Sequence, residues 1–131
     1  MTKNMRVTAP LALAIAGAVC GTFAASVAVA APEAPNGETL FRQRCQQCHS
    51  ATPGRPSTLG PSLVGVVGRK AASTPFNYSP ALKASGLTWT RANMDRYLSG
   101  PARMVPGTRM VVVLPDAAQR AALITYLAGQ R

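Results

Sequence analysis

The run Cys45-Gln46-Gln47-Cys48-His49 is a C-x-x-C-H motif, and the rest of the sequence can be interpreted around it. At the end of a helix this spacing allows two thiols to reach the two vinyl groups of one porphyrin, while the adjacent imidazole reaches the iron. The motif therefore predicts one haem c, attached through Cys45 and Cys48, with His49 as an iron ligand.

Other uses of these residues match the sequence less well. A disulfide between Cys45 and Cys48 would close a loop too short to stabilise the fold much, and a thioredoxin-like redox pair needs a βαβ context that the sequence lacks. Closed zinc sites and iron–sulfur clusters need four ligands. The chain has 3 cysteines and 1 histidine, and one of the cysteines, Cys20, lies in a segment predicted to be removed.

A second axial ligand cannot be histidine, because His49 is the only one in the chain. The soft donors available are Met94, Met104 and Met110. Met94 has helical spacing with the apolar residues that follow it, which favours core packing. Met104 and Met110 flank a Pro-Gly-Thr turn, and the residues alone leave both open as the sixth ligand.

The N-terminus has the pattern of an export signal. Lys3 and Arg6 precede an uncharged segment rich in Ala, Leu and Val that ends in Ala-Val-Ala at positions 28–30. This pattern predicts a signal peptide over residues 1–30 and a mature domain over 31–131 in the periplasm. An uncleaved membrane anchor is the alternative, since about 20 apolar residues can span a bilayer, but the abundance of Ala, Val and Gly favours cleavage.

The charge of the chain restricts its partners. The sequence has 14 basic and 4 acidic side chains, a net charge of +10, and loss of residues 1–30 leaves 12 against 4, or +8. A strongly basic chain suits nucleic acid or an anionic surface. Because nucleic acid is not expected as a partner outside the cytoplasm, we expect acidic protein surfaces instead.

The mature chain is predicted to contain three helices. A content of 47% hydrophobic and 14% charged residues argues against disorder. The first helix should run over 37–47 with Asn36 as its cap, the second should start at Thr88 or Thr90 and stop before Gly100, and the third should run over 117–128. Asp116 caps the third helix. The long Gly/Pro-rich loops between them are typical of a chain that surrounds a bound group.

Residues 36–128 resemble the class I cytochromes c of the soluble bacterial and mitochondrial type. The resemblance implies an all-α cytochrome c fold, with three main helices and Gly/Pro-rich loops around one covalently bound haem c. It also implies that Gly37 and Phe41 cross the last helix at Leu123 and Tyr126. The shared segments, in the family's order and nearly its spacing, are GPSL at 60–63, GRK at 68–70, FNYS at 76–79, GLTW at 86–89, PGTRM at 106–110 and LITYL at 123–127.

The resemblance also implies roles for individual site residues. Met110 would be the second iron ligand, and the carbonyl of Pro61 would accept a hydrogen bond from the His49 ring. Tyr97 would lie beside the Met110 sulfur. The haem propionates would accept hydrogen bonds from Tyr78, Trp89 and Thr108. Arg69 would lie near the propionates.

The implied function is that of a monomeric periplasmic electron carrier between respiratory or other redox complexes. With both axial positions of the iron occupied, no position is open for a substrate. Arg44, Arg103 and Arg109 would surround the exposed haem edge and face acidic surfaces of membrane redox complexes or periplasmic oxidoreductases. The alternatives are the haem c subunit of a periplasmic dehydrogenase, and an open-coordination haem enzyme such as a peroxidase.

Overall fold

The computed structural model describes residues 33–57 and 59–131, in which helices alternate with long loops. The predicted signal peptide, residues 1–30, lies outside the described residues. Within the described residues, no helix is long and apolar enough to cross a membrane. The helices found there are α1 Gly37–Arg44, α2 Pro80–Ala84, α3 Arg91–Ser99, α4 Pro101–Met104 and α5 Ala117–Ala128.

Helix α1 begins at the predicted residue, Gly37, but ends three residues before the predicted end at position 47. The side chain of Asn36 caps it by accepting a hydrogen bond from the amide of Thr39 at 3.0 Å. Its last residue is Arg44, and Cys45 departs from helical geometry with φ −123° and ψ −33°. The early end lets the C-x-x-C-H motif form a separate turn instead of continuing the helix.

The other two predicted helices are confirmed as α3 and α5. The hydroxyl of Thr90 accepts from the amide of Asn93 at 3.1 Å, which selects Thr90 as the cap of α3. Helix α5 has its predicted bounds, and Asp116 accepts from the amide of Gln119 at 2.8 Å. Helices α2 and α4 were not predicted, because 5 and 4 residues are too few to show an apolar period.

Helices α1 and α5 cross at the expected residues. A Cβ atom on Gly37 would lie 2.2 Å from the carbonyl oxygen of Ala122 and 2.8 Å from Cβ of Tyr126, so only glycine allows the two backbones to approach this closely. The rings of Phe41 and Tyr126 pack with their centroids 5.6 Å apart. This crossing joins the two ends of the described domain and confirms the expectation for Gly37, Phe41 and Tyr126, with Ala122, the neighbour of Leu123, as the residue that meets Gly37.

The core lies between α1, α3 and α5 and continues into the segment before α5. Leu114 and Leu123 are each 1% exposed. The apolar run from Leu63 to Val67 forms turns rather than a strand, and the isolated bridge in the described part of the chain joins Lys70 to Thr88. The helices therefore form the rigid frame, and the loops are left to line the site.

Candidate haem-binding site

A deep cleft opens between the C-x-x-C-H turn, α3, α5 and the loops that connect them. Its empty space is about 1380 Å3 with the open mouth included. The fold thus brings together side chains from distant parts of the sequence. All ten residues that the sequence predicted for the site lie on the walls of this cleft: Cys45, Cys48, His49, Pro61, Arg69, Tyr78, Trp89, Tyr97, Thr108 and Met110.

The two cysteines lie on one tight turn after α1. The amides of Cys48 and His49 both donate to the carbonyl of Cys45, at 3.1 and 2.9 Å. Both cysteines are free, and Cys45 is buried. Burial, and secondarily the neighbouring Cys48, raises the pKa of the Cys45 thiol to about 11 against the opposing effect of Arg44. Two free thiols therefore line the same cavity.

The imidazole of His49 is restrained on two sides. Its Nδ1–H donates to the carbonyl of Pro61 at 2.7 Å, since a carbonyl oxygen can only accept. A Cβ atom on Gly60 would lie 2.5 Å from Cε1 of the ring, so the ring packs directly on the Gly60 backbone. Burial lowers the pKa of His49, although the Pro61 hydrogen bond opposes this. The ring is thus neutral at pH 7, and its Nε2 remains available as a donor atom for a metal.

Met110 belongs to an extended segment that we call the methionine loop, residues 105–115. The loop begins with a turn in which the amide of Thr108 donates to the carbonyl of Val105 at 3.0 Å. The hydroxyls of Thr108 and Tyr97 are hydrogen-bonded at 2.6 Å. Met104, the other candidate left open by the sequence, ends α4 and does not line the cleft.

Met94 also contacts the cleft, but it belongs to the core. It is 6% exposed and packs in the cluster of buried apolar residues, as its helical spacing predicted. Tyr97 follows it on α3 and packs against Trp89, with ring centroids 4.9 Å apart. Burial raises the pKa of Tyr97, with the Thr108 hydrogen bond acting in the opposite direction.

Arg69 and Tyr78, two of the residues expected near the propionates, already have partners within the chain. The guanidinium of Arg69 donates to the carbonyls of Ser62 at 2.8 Å and Val64 at 2.7 Å. The hydroxyl of Tyr78 is hydrogen-bonded to the hydroxyl of Thr74. An arginine has five N–H donors and a hydroxyl can both donate and accept, so these groups retain capacity for a further partner.

Two of the three arginines expected around the haem edge lie at the cleft. Arg44 and Arg109 line it and are exposed, and Arg109 donates to the carbonyl of Asn77 at 2.8 Å. Arg103 does not line the cleft, because it turns back on the end of α3 and donates to the carbonyl of Ser99 at 3.0 Å. The basic rim at the cleft is therefore narrower than the sequence predicted.

Sequence reasoning missed part of the site. Gly60 was noted only as part of a shared segment, and nothing in the sequence showed that the His49 ring would pack on it. Leu123 and Leu127 were noted only within the shared segment at 123–127, and the structure shows that both are buried and line the cleft. Val66, for which the sequence indicated no role in the site, also forms part of the wall.

Comparisons with known proteins agree with this geometry. The family model described as cytochrome c matches residues 34–130. A cytochrome c2 from Rhodomicrobium vannielii is 48% identical over 105 residues, covering 79% of this chain and 83% of the relative. Cytochrome c type-1 from Ascaris suum is 42% identical over 103 residues, covering 73% of this chain and 91% of the relative. A solved structure, cytochrome cH from Methylobacterium extorquens, superimposes with a TM-score of 0.64 at 39% identity, covering 70% of this chain and 92% of that one.

The matched region contains the whole described cleft, the paired cysteines and the helices that enclose them. The fold class predicted from the sequence is confirmed by the helical architecture and by the structural neighbour. The chain therefore belongs to the cytochrome c family and is an electron-transfer protein, not an enzyme, with one haem c attached through Cys45 and Cys48.

Proposed function

We propose that the mature chain, residues 31–131, is a periplasmic one-electron carrier whose haem iron is bound by His49 and Met110. The observation that supports this most strongly is that both residues line the same cleft as the two cysteines. A histidine and a thioether together leave no iron position open, which suits electron transfer and not substrate chemistry. The competing sulfur donor, Met104, lies off the cleft.

The residues of the cleft fit a haem c. Two free thiols are available on one turn, the Nε2 of His49 has no partner among the described residues, and the walls are mainly apolar. The haem supplies the one-electron iron couple. The chain's own residues would hold the porphyrin between apolar walls that limit the access of water. Apolar surroundings and a thioether ligand both favour the reduced state and so raise the potential.

The supporting residues have separate roles in this proposal. The carbonyl of Pro61 orients the His49 ring and sets the tautomer in which Nε2 can bind iron. Tyr97 and Thr108 keep the beginning of the methionine loop against α3. We assign the propionates to the groups with spare hydrogen-bonding capacity, Arg69, Tyr78, Trp89 and Thr108.

The test of iron ligation compares two methionine variants. We expect the ferric protein to show a sulfur-to-iron charge-transfer band in the far red. Met110→Ala should remove the band and allow external ligands to bind the iron, while the matched variant Met104→Ala should leave the spectrum intact. Loss of the band in Met104→Ala alone would reverse the assignment. A native protein without the band would favour the open-coordination alternative, such as a peroxidase.

Export of the chain is tested by its mass. The Ala-Val-Ala sequence at 28–30 supports cleavage before Ala31. Intact-mass measurement on periplasmic protein should therefore give the mass of residues 31–131 with one haem. Retention of residues 1–30 on membrane-bound protein would show an anchored form instead.

Acidic partners are supported by the net charge of +8 that remains after cleavage. Arg44 and Arg109 at the cleft should steer the carrier toward an acidic patch on a redox complex. The electron-transfer rate with its oxidase or reductase should fall with salt, as the screening length shrinks from about 30 Å at 0.01 M to about 10 Å at 0.1 M. Arg109→Glu should flatten this dependence, and a rate indifferent to salt in the native protein would contradict electrostatic docking. Co-purification with a dehydrogenase would identify the chain as its haem subunit.

A further inference from the structure

The C-terminal half of the methionine loop has few restraints of its own. After Met110 the chain continues without helix or strand, and Val111 and Val113 are 84% and 48% exposed. The next residue, Leu114, is 1% exposed, and its amide donates to the carbonyl of Leu98 in α3 at 2.9 Å. Leu114 is therefore the first position after Met110 at which this side of the loop is fixed to the core.

One arginine side chain binds the loop at that position. The guanidinium of Arg120, in α5, donates through Nη1 to the carbonyls of Leu114 at 3.0 Å and Pro115 at 2.7 Å. Its Nε donates to Oδ1 of Asp95, in α3, at 2.7 Å. The Arg120 side chain is 11% exposed and that of Asp95 is 45% exposed. The loop end, which the Leu114 amide already joins to α3, is thus also tied to α3 and α5 by the donors of one guanidinium.

The short distance along the chain makes this contact relevant to Met110. An extended chain advances at most about 3.6 Å per residue, so the four steps from Met110 to Leu114 cover no more than about 14 Å. A fixed Leu114 therefore limits where the Met110 sulfur can go. If Leu114 moves away from the core, residues 111–113 make no hydrogen bond among the described residues that would hold the loop in its place.

We propose that Asp95 and Arg120 are positioning residues for Met110, and that their ion pair sets how firmly the methionine loop keeps its sulfur in the cleft. This inference rests on the proposed ligation of iron by Met110. Asp95 orients the guanidinium through Nε, and this orientation leaves Nη1 directed at the two loop carbonyls. A planar guanidinium can serve all three acceptors at once, whereas a lysine ammonium in the same place cannot reproduce the fork.

The other ion pair among the described residues provides a matched control. Glu38 and Arg42 pair one turn apart on α1, with side chains 51% and 68% exposed. Removing Glu38 changes the net charge by the same amount as removing Asp95, but among the described residues its side chain pairs with Arg42 of α1 and makes no hydrogen bond or ion pair with the methionine loop, α3 or α5. The two substitutions therefore separate a change in charge from a change in loop restraint.

The experiment uses the ferric holoprotein and imidazole, which competes with Met110 for iron. Apparent imidazole affinity rises in proportion to the fraction of molecules in which the loop is open. We expect Asp95→Ala to strengthen imidazole binding about fivefold, as for the loss of one partly exposed ion pair. Arg120→Lys should strengthen it about tenfold because the loop carbonyls also lose donors. Asp95→Asn keeps an acceptor, so its imidazole affinity should lie between those of Asp95→Ala and the native protein. The imidazole affinity of Glu38→Ala should equal that of the native protein.

A second measurement, amide hydrogen exchange at Leu114, does not depend on iron ligation. Exchange at this amide should accelerate in Asp95→Ala and Arg120→Lys but not in Glu38→Ala. A purely structural role would lower the unfolding midpoint while leaving imidazole affinity unchanged, and that result would overturn the proposal. Unchanged exchange at Leu114 would overturn it as well. If the native protein lacks the far-red band while exchange still accelerates, Met110 ligation fails and the loop restraint stands.

Discussion

The two sides of the cleft hold their metal-binding candidates in different ways. The His49 ring is restrained directly, by a hydrogen bond of 2.7 Å to Pro61 and by packing on the Gly60 backbone. Met110 is restrained through its neighbours: Thr108 bonds Tyr97 on one side of it, and Leu114 is fixed to α3 on the other. The histidine side is local in sequence, whereas the methionine side depends on contacts with distant helices.

This difference indicates which side should yield first under perturbation. Direct contacts are lost only when the ring or its backbone support moves, whereas an indirectly held side chain is released whenever a remote contact weakens. Segments with few buried contacts and exposed backbone open at lower free energy than the core. We therefore expect the methionine side to open well before the histidine side, and the following changes test that order.

The largest effect is expected from Leu114→Ala. Truncating a fully buried leucine costs about 3 kcal/mol, and here it also removes the point at which the methionine loop meets the core. The free energy of unfolding should fall by that amount, and imidazole should displace Met110 more readily. The control is Ile124→Ala, since Ile124 is 4% exposed but does not line the cleft. Equal imidazole affinity in the two variants would contradict indirect restraint.

The next effect, on the histidine side, is expected from Gly60→Ala. The new Cβ would lie 2.5 Å from His49 Cε1, so the ring or the backbone must shift, at a cost of about 2 kcal/mol. Urea unfolding should show the loss of stability, and the resonances of the His49 ring should shift. Gly54→Ala is the control, because its Cβ meets nothing within 4 Å. It should cost about 1 kcal/mol, from its φ of +71° alone, with no change at His49.

A smaller effect is expected from Thr108→Val, which keeps the shape of the side chain but removes its hydroxyl. The buried Tyr97 hydroxyl then loses its partner, and the free energy of unfolding should fall by about 1 kcal/mol. The control, Thr125→Val, alters an exposed threonine on α5 and should stay within about 0.5 kcal/mol of the native protein. If Thr108→Val shifted the His49 resonances as much as it shifts the resonances of residues near Met110, the histidine and methionine sides of the cleft would not be restrained separately.

The smallest effect concerns alkaline pH. Burial raises the pKa of Tyr97 above its ordinary value of 10.0, so the folded protein keeps this proton after the unfolded chain has released it. The contribution of this pKa difference to the free energy of unfolding is complete below pH 10. It is lost as the pH rises through the higher pKa that Tyr97 has in the folded state. Tyr97→Phe should therefore weaken the decline in unfolding free energy between pH 9 and pH 11. Identical slopes in urea titrations of the two proteins would refute this.

Prediction from sequence succeeded where a local pattern carries the information. The cap residue Asp116, with apolar residues at helical spacing after it, predicted the bounds of the 12-residue helix α5 to the residue. The prediction for α1 was wrong at its C-terminal end, because the helix stops at Arg44 so that the cysteines can form their own turn. Arg103 was expected at the haem edge, but a hydrogen bond to the carbonyl of Ser99 draws it away.

The sequence by itself determined the haem attachment through Cys45 and Cys48, the family and the three main helices, because each depends on residues that are close together in the chain. It left two methionines open until the resemblance favoured Met110. Only the tertiary structure decided that Gly60 supports the His49 ring and that Arg120 joins Asp95 to the end of the methionine loop. The Gly60 contact depends on how the loop after His49 folds back on the ring, and the Arg120 contacts depend on how α5 packs beside α3. Spacing along one sequence carries no information about either.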